Sequence, residues 1–292
     1  MLWVWFSLLA ALMQAGRNAF QKQLSVNVPI MGVTLARFLF ACPLALGYLL
    51  IHYYHQPNLT IPSFSGKFVF YIIFASVAQI LATALMVRLF RLKNYSIGAG
   101  LAKSEAILTA ILGVLLFGTQ IGWLGWVGIV IGSIAVFLMS VVNNLQQISW
   151  QTLWLGLASG LCFAFTSLSV REASLLLDLP SLVAASWVLF AVITVEAVGL
   201  TLYLWFKERH VLQLLMRYRN LTIATSVFSF LGSLGWFSAM SLQHVAFVKT
   251  VGQIEVFFMI LISLFIFKEK LKRNDLIGLL LIVVAAILVV WS

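Results

Sequence analysis

AFVKTVGQIEVFFMI, residues 246–260, carries Lys249 and Glu255 inside an apolar run that continues to Phe267. LAKSEAILTA, residues 101–110, does nearly the same with Lys103 and Glu105. A lone charge at the centre of a lipid-spanning helix costs roughly 2.5–3.5 kcal/mol on insertion scales. A chain that accepts this cost twice must hide these charges from lipid, and a use for them is the natural reason.

Lipid is the expected solvent. The chain has 292 residues, 63% of them hydrophobic and 9% charged, with a mean hydropathy of +1.08, too little polar surface for a soluble domain of this length. The net charge of +10 raises a nucleic-acid reading. The cations are scattered between apolar runs, however, with no basic stripe to follow a phosphate backbone, so no nucleic-acid partner is expected.

Apolar windows of about 20 residues span a bilayer. The sequence holds ten, near 2–22, 30–51, 68–88, 95–117, 121–142, 151–174, 180–206, 219–242, 245–267 and 274–291. The links are short and rich in Pro, Asn or charge, as in HQPNLTIPSFSGK and FKEKLKRND. MLWVWFSLLAALMQAG at the start lacks the basic n-region of a signal peptide and reads as a retained helix. Arg17, Lys22, Arg88, Arg91 and Lys93 fall on one side, with Lys207, Arg209, Arg217 and Arg219 and the cluster Lys268, Lys270, Lys272 and Arg273. The other side has Lys67, Arg171 and Lys249. The positive-inside rule makes the richer side cytoplasmic and puts both termini outside the cytoplasm, in an inner (plasma) membrane.

Ten windows suggest a doubled five. A shift of 150 residues superposes Glu105 on Glu255, Gly128 on Gly278, Ala135 on Ala285, Leu138 on Leu288, Ser76 on Ser226 and Phe117 on Phe267. The glutamates weigh most, because the chain has just 8 acidic residues. Five is odd, so two such halves cross the membrane in opposite senses, as in inverted-repeat carriers with a site near the midplane. The expected fold is therefore an all-α integral membrane protein of ten transmembrane helices in two inverted five-helix repeats, residues 1–144 and 145–292.

With a Glu midway along helices four and nine, the chain resembles the EamA-type members of the drug/metabolite transporter superfamily. The clearest stretch is IEVFFMILISLFIFKEKLKRNDLIGLLLIVVAAILVVWS, residues 254–292. It is similar to the family pattern of an acidic position, an apolar helix, a Gly-Glu end and a last helix opening on Ile-Gly. Arg37, early in helix two, is also family-like. Ala106 and Val256 stand where the family usually has Pro, which removes the proline kink from both helices. Gly118-Thr119 and Lys268-Glu269 stand for the Gly-Glu ends. The resemblance implies export or exchange of small metabolites, commonly amino acids.

Glu105, Glu255 and Glu196 are the candidate acids for substrate binding or ion coupling, and Arg37, Lys103 and Lys249 the candidate cations. A near-neutral set of both signs suits a zwitterion. Lys103 and Glu105 are two residues apart and point to different helix faces, so they are poor partners for each other. Gln253 shares a face with Lys249 at i,i+4, and Gly252 lies one turn from Glu255, where a missing side chain admits a substrate or another helix. Trp236, with Trp187, Phe237 and Phe257, lies deep enough to line a site. Other tryptophans, Trp5 and Trp123 among them, fit an interfacial belt. Gly232 and Gly235, with Ser229 and Ser233, mark helix eight for close packing. Arg17, Arg88 and Arg171 read as interfacial anchors.

No phosphate loop, HExxH or GxSxG is present, so no enzyme is expected. Cys42 and Cys162 read as small buried hydrophobes, and His52, His55, His210 and His244 share no metal-type spacing, so neither metal nor cofactor is expected. The reading is a secondary transporter of small metabolites, amino acids first, working by alternating access and driven by protons through Glu255 or Glu105, or by exchange. The alternatives are an antiporter of anionic or nucleotide-linked metabolites, and a non-transporting membrane scaffold or accessory subunit. Monomer and homodimer are equally open.

Overall fold

The computed structural model describes residues 1–92, 101–140, 149–265 and 273–292. Hydrocarbon offers no partner to a backbone N–H or C=O, so apolar runs close their hydrogen bonds within helices. Every regular element among the described residues is helical. The helices are α1 (Leu2–Leu24), α2 (Ile30–Ala36), α3 (Ala41–His55), α4 (Gly66–Leu92), α5 (Glu105–Phe117), α6 (Trp123–Ser140) and α7 (Trp150–Leu175). They continue as α8 (Ser181–Lys207), α9 (Arg209–Arg217), α10 (Arg219–Leu242), α11 (Val245–Val251), α12 (Glu255–Phe265) and α13 (Arg273–Trp291). A 3-10 turn, Gly252–Ile254, joins α11 to α12.

Six of these segments are long and apolar enough to cross a membrane: Ile30–His55, Gly66–Leu92, Trp150–Leu175, Ser181–Lys207, Arg219–Leu242 and Val245–Ile262. Glu105–Phe117, Trp123–Met139 and Leu276–Trp291 are shorter apolar helices. α1 has 23 residues but falls short in hydropathy, because Gln14, Arg17, Asn18, Gln21 and Lys22 interrupt it. α9 is an addition to the expected plan, an amphipathic helix that buries Val211 and Leu215 and exposes Arg209 and Arg217. The expected boundary at residues 144 and 145, Lys93, the Lys268-Glu269 helix end and Phe267 lie outside the described residues.

Three of the expected windows are broken, and a charged residue lies within or beside each break. Residues 37–40 form a turn between α2 and α3, beginning at Arg37. Lys103 and Ser104 turn just ahead of α5, with i→i+3 bonds from Ser104 N to Leu101 O at 3.3 Å and from Ala106 N to Lys103 O at 3.2 Å. Gly252–Ile254 does the same ahead of α12. Pro43, in the first turn of α3, cannot donate to the Leu39 carbonyl and accounts for the first break, whereas no proline lies near the other two. Glu105 and Glu255 are the first residues of α5 and α12, where the positive end of the helix dipole favours a carboxylate. Gly118 closes α5 in the left-handed region, φ +62°, where a Cβ would clash with the backbone.

The most extensive helix contacts are α1 with α10, α4 with α7, and α6 with α13. Each joins a helix from the N-terminal half of the chain to one from the C-terminal half. Exchanging the halves turns the first pair into the second and the third into itself. Small residues make this contact close. A Cβ at Gly235 would stand 2.7 Å from the Phe6 carbonyl oxygen and 2.9 Å from the Ala10 nitrogen, so α10 meets the backbone of α1. At the other seam a Cβ on Gly128 would lie 2.9 Å from Ala285 O, and one on Gly278 would lie 3.2 Å from Ala135 O. These are the residues superposed by the 150-residue shift, and they now touch in reciprocal pairs.

Overpacking a tight contact costs about 1–3 kcal/mol. Gly128→Leu and Gly278→Leu are each expected to lower thermal stability in detergent by that order. Gly199→Leu, where nothing lies within 4 Å of the Cβ position, should leave the melting temperature unchanged. Melting curves that rank the three equally would remove the seam as a source of stability.

Candidate functional site

The breaks in the helices carrying the two glutamates meet at the middle of the bundle, beside α1. Glu255 is fully buried. It accepts hydrogen bonds from Gln14 Nε2 at 2.6 Å and Asn18 Nδ2 at 2.9 Å, and its carboxylate is ion-paired with Lys103. Glu105 accepts from Ser167 Oγ at 2.8 Å and pairs with Lys249 Nζ at 2.7 Å. The pairing is crossed: the lysine of each segment holds the glutamate of the other. Lys103 and Glu105 do not bond to each other, as their spacing predicted.

Aromatic and amide groups fix the second pair. The Lys249 ammonium sits 4.2 Å from the centroid of the Trp236 ring, a cation–π contact. Trp236 Nε1 donates to Gln14 Oε1 at 2.8 Å, which leaves the Gln14 amide nitrogen for Glu255. Gly252 lies against the Trp236 ring with no room for a side chain. Its role is helix packing, one of the two uses its sequence position suggested.

A cavity of about 30 Å³ lies beside these pairs, lined from both halves of the chain. Gln14, Arg37, Gln79 and Glu105 face it from one half, and Phe163, Thr166, Ser167, Ser233, Trp236, Phe237, Met240 and Lys249 from the other. That volume holds about one or two waters, too little for a metabolite in this conformation. Arg37 is buried and donates to Thr83 Oγ1 at 2.7 Å and Ser229 Oγ at 3.1 Å.

Not every candidate converges there. Gln253 is buried but turned onto Gly132 of α6, because the 3-10 turn breaks the i,i+4 register with Lys249. Glu196 of α8 is also buried and does not line the cavity. Trp187 donates to the Tyr53 hydroxyl at 3.0 Å, away from the ion pairs, and Phe257 is more than a third exposed. Gly232 and Gly235 pack on α1, Ser229 serves Arg37, and Ser233 lines the cavity.

One of the three expected anchors, Arg17, needs revision. Arg17 is 1% exposed and donates to Asn18 Oδ1 at 2.8 Å, so it belongs to the interior. Arg171 donates to Met240 O at 2.6 Å and Gln243 O at 2.5 Å, capping the end of α10. Arg88 is exposed as expected. With Arg17 added, the buried cations are Arg17, Arg37, Lys103 and Lys249, against Glu105, Glu196 and Glu255 among the described residues.

The contribution of α1 was absent from the sequence reading. Gln14, Asn18 and Gln21 follow an i, i+4, i+7 spacing, the mark of one helix face, and that face looks into the bundle. The spacing was available; an otherwise apolar helix near the chain start drew no attention to it.

An all-helical bundle with a buried ionic centre shared by two halves defines a multi-pass membrane protein. The EamA-like transporter family matches the chain over residues 1–141 and again over 150–291, and the chain belongs to that family. It is a family of membrane transporters of the drug/metabolite transporter superfamily, not of enzymes, and its double match fits an internal repeat. A solved structure described as "Crystal structure of protein" has the same fold, with a TM-score of 0.69 at 13% identity, covering 99% of this chain and 97% of that one. No curated protein matches the chain in sequence.

Removing one partner of a buried ion pair costs about 3–5 kcal/mol, because the other charge is left behind. Lys103→Met should destabilise the protein by that order in thermal melts. Lys103→Met with Glu255→Gln should recover much of the loss. A double variant no more stable than Lys103→Met would mean the pair is not the source of the effect.

Proposed function

We propose that this chain is a ten-span secondary transporter of the inner membrane that exports or exchanges small zwitterionic metabolites, amino acids first, by alternating access between two inverted five-helix halves. The observation that carries the reading is the crossed pairing of Lys103 with Glu255 and Glu105 with Lys249. In the closed form the two segments satisfy each other's charges. A zwitterion brings one ammonium and one carboxylate. It can take the place of a lysine at one glutamate and of a glutamate at one lysine, so that no buried charge loses its partner. The Trp236 face beside Lys249 offers a second seat for an ammonium or an apolar side chain.

This exchange of partners also frees the halves to move. Each pair links one helix break to the other, so a cargo that opens them loosens the contact that holds the site shut. The cation bias of the loops supports an orientation with both termini outside the cytoplasm. A second reading, transport of an anionic metabolite, is favoured by the surplus of buried cation that Arg17 adds.

Counterflow in proteoliposomes tests the proposal. Vesicles preloaded with a mixture of amino acids should take up one labelled class saturably. Glu105→Gln and Glu255→Gln should abolish that uptake while remaining monodisperse. Uptake of labelled organic anions alone would select the second reading. Folded protein that exchanges neither class would favour a scaffold role, and undiminished uptake in both variants would overturn the site.

A further inference from the structure

Glu196 stands apart from the crossed pairs in one respect. It is fully buried in the middle of α8, and neither of its carboxyl oxygens has a hydrogen-bond partner. Glu105 and Glu255 each have a lysine and at least one neutral donor. A carboxylate stripped of water and of hydrogen bonds is among the least favourable groups in a protein interior, whereas the neutral acid loses far less.

The surroundings of Glu196 narrow what can act on it. Val192, one turn earlier on α8, accepts from Ser76 Oγ of α4 at 3.4 Å. α4 goes on to Gln79, whose amide nitrogen is likewise buried without a partner, and to Thr83. α3 brings Cys42 against Thr194 at 3.4 Å. α10 contributes Ser226 and Ser229 to the turn that carries Arg37. α7 carries Cys162, Arg171 and Glu172, and α9 carries Arg209, His210 and Arg217. The buried cation among these elements is Arg37, which opens the turn between α2 and α3, and both of those helices pack on α8. Arg37 in turn lines the central cavity, as Glu105 does.

We propose that Glu196 is the proton-carrying group of the transporter, and that Arg37 couples its protonation to cargo in the cavity. The proposal rests on the transporter reading above. In the closed form Glu196 is neutral and Arg37 is held by Thr83 and Ser229. When Arg37 turns to Glu196, the acid releases its proton to water on one side and the carboxylate takes the guanidinium as partner. When an anionic group of the cargo draws Arg37 back to the cavity, the carboxylate takes a proton from water on the other side and an O–H bond re-forms. One proton is exchanged per cargo molecule. Glu105 and Glu255 are already ion-paired with lysines.

Infrared difference spectroscopy in lipid nanodiscs, between acid and alkaline buffer, reads the acid without any cargo. A titrating carboxylic-acid carbonyl band is expected in the natural protein. It should be lost in Glu196→Gln, shifted in Glu196→Asp, and kept in Glu105→Gln and Glu255→Gln. No band in the natural protein, or a band lost with Glu105 or Glu255, would overturn the proposal even if Glu196→Gln fails to fold. In proteoliposomes with the amino-acid mixture, folded Glu196→Gln should keep counterflow and lose accumulation driven by a pH gradient. Loss of both would make Glu196 part of the cargo site and overturn the proposal. If the natural protein moves no amino acid, the proposed cargo fails while the infrared result still decides the proton carrier.

Discussion

Two lysines and two glutamates, each held by the opposite segment, are the constraint on which the interior of this protein depends. Inside a bundle surrounded by lipid, a charge is tolerable when a partner neutralises it and hydrogen bonds complete its shell. Lys103 and Lys249 supply the partners, and Gln14, Asn18 and Ser167 complete the shells. Because each pair crosses between the halves, neither half is electrostatically complete alone. The seams of glycine and alanine give the halves their shape, but the crossed pairs give them a reason to stay together at the centre.

Much of the fold was legible in the sequence because lipid allows so few solutions. Apolar runs of the right length must be helices, and the described helices other than α9 fall where the windows lay. The shift that superposes Gly128 on Gly278 and Ala135 on Ala285 found residues that meet in reciprocal contact, with Leu288 also against Gly128. Close backbone approach demands a small residue in both copies, so those identities persist where the rest of the two halves has drifted. The glutamates are legible for the same reason.

What was missed follows from what periodicity averages away. Gln14 and Asn18 sit in a helix whose other faces are apolar, and their importance comes from Glu255, far away in sequence. The turns at Lys103 and Gly252–Ile254 need no proline, so no local signal marks them, and the one at Arg37 is marked by Pro43, three residues beyond it. Gln253 was placed on the Lys249 face by counting in steps of a regular helix, and the 3-10 turn undoes that count. Arg17 looked like an anchor because it lies near one end of its window. Packing against α10 and α12 draws it inside.

The polar face of α1 has a consequence for biogenesis. Gln14, Arg17, Asn18 and Gln21 make this helix a poor substrate for release from the translocon into lipid, since amide and guanidinium groups are costly to place there. Glu255, which takes two of its amides, is synthesised more than two hundred residues later. During that interval α1 must wait beside the insertion machinery or in a water-filled groove. The N-terminal half is thus an incomplete membrane protein until the C-terminal half arrives, and the ribosome rather than the folded structure sets how long its buried polar groups stay unmatched.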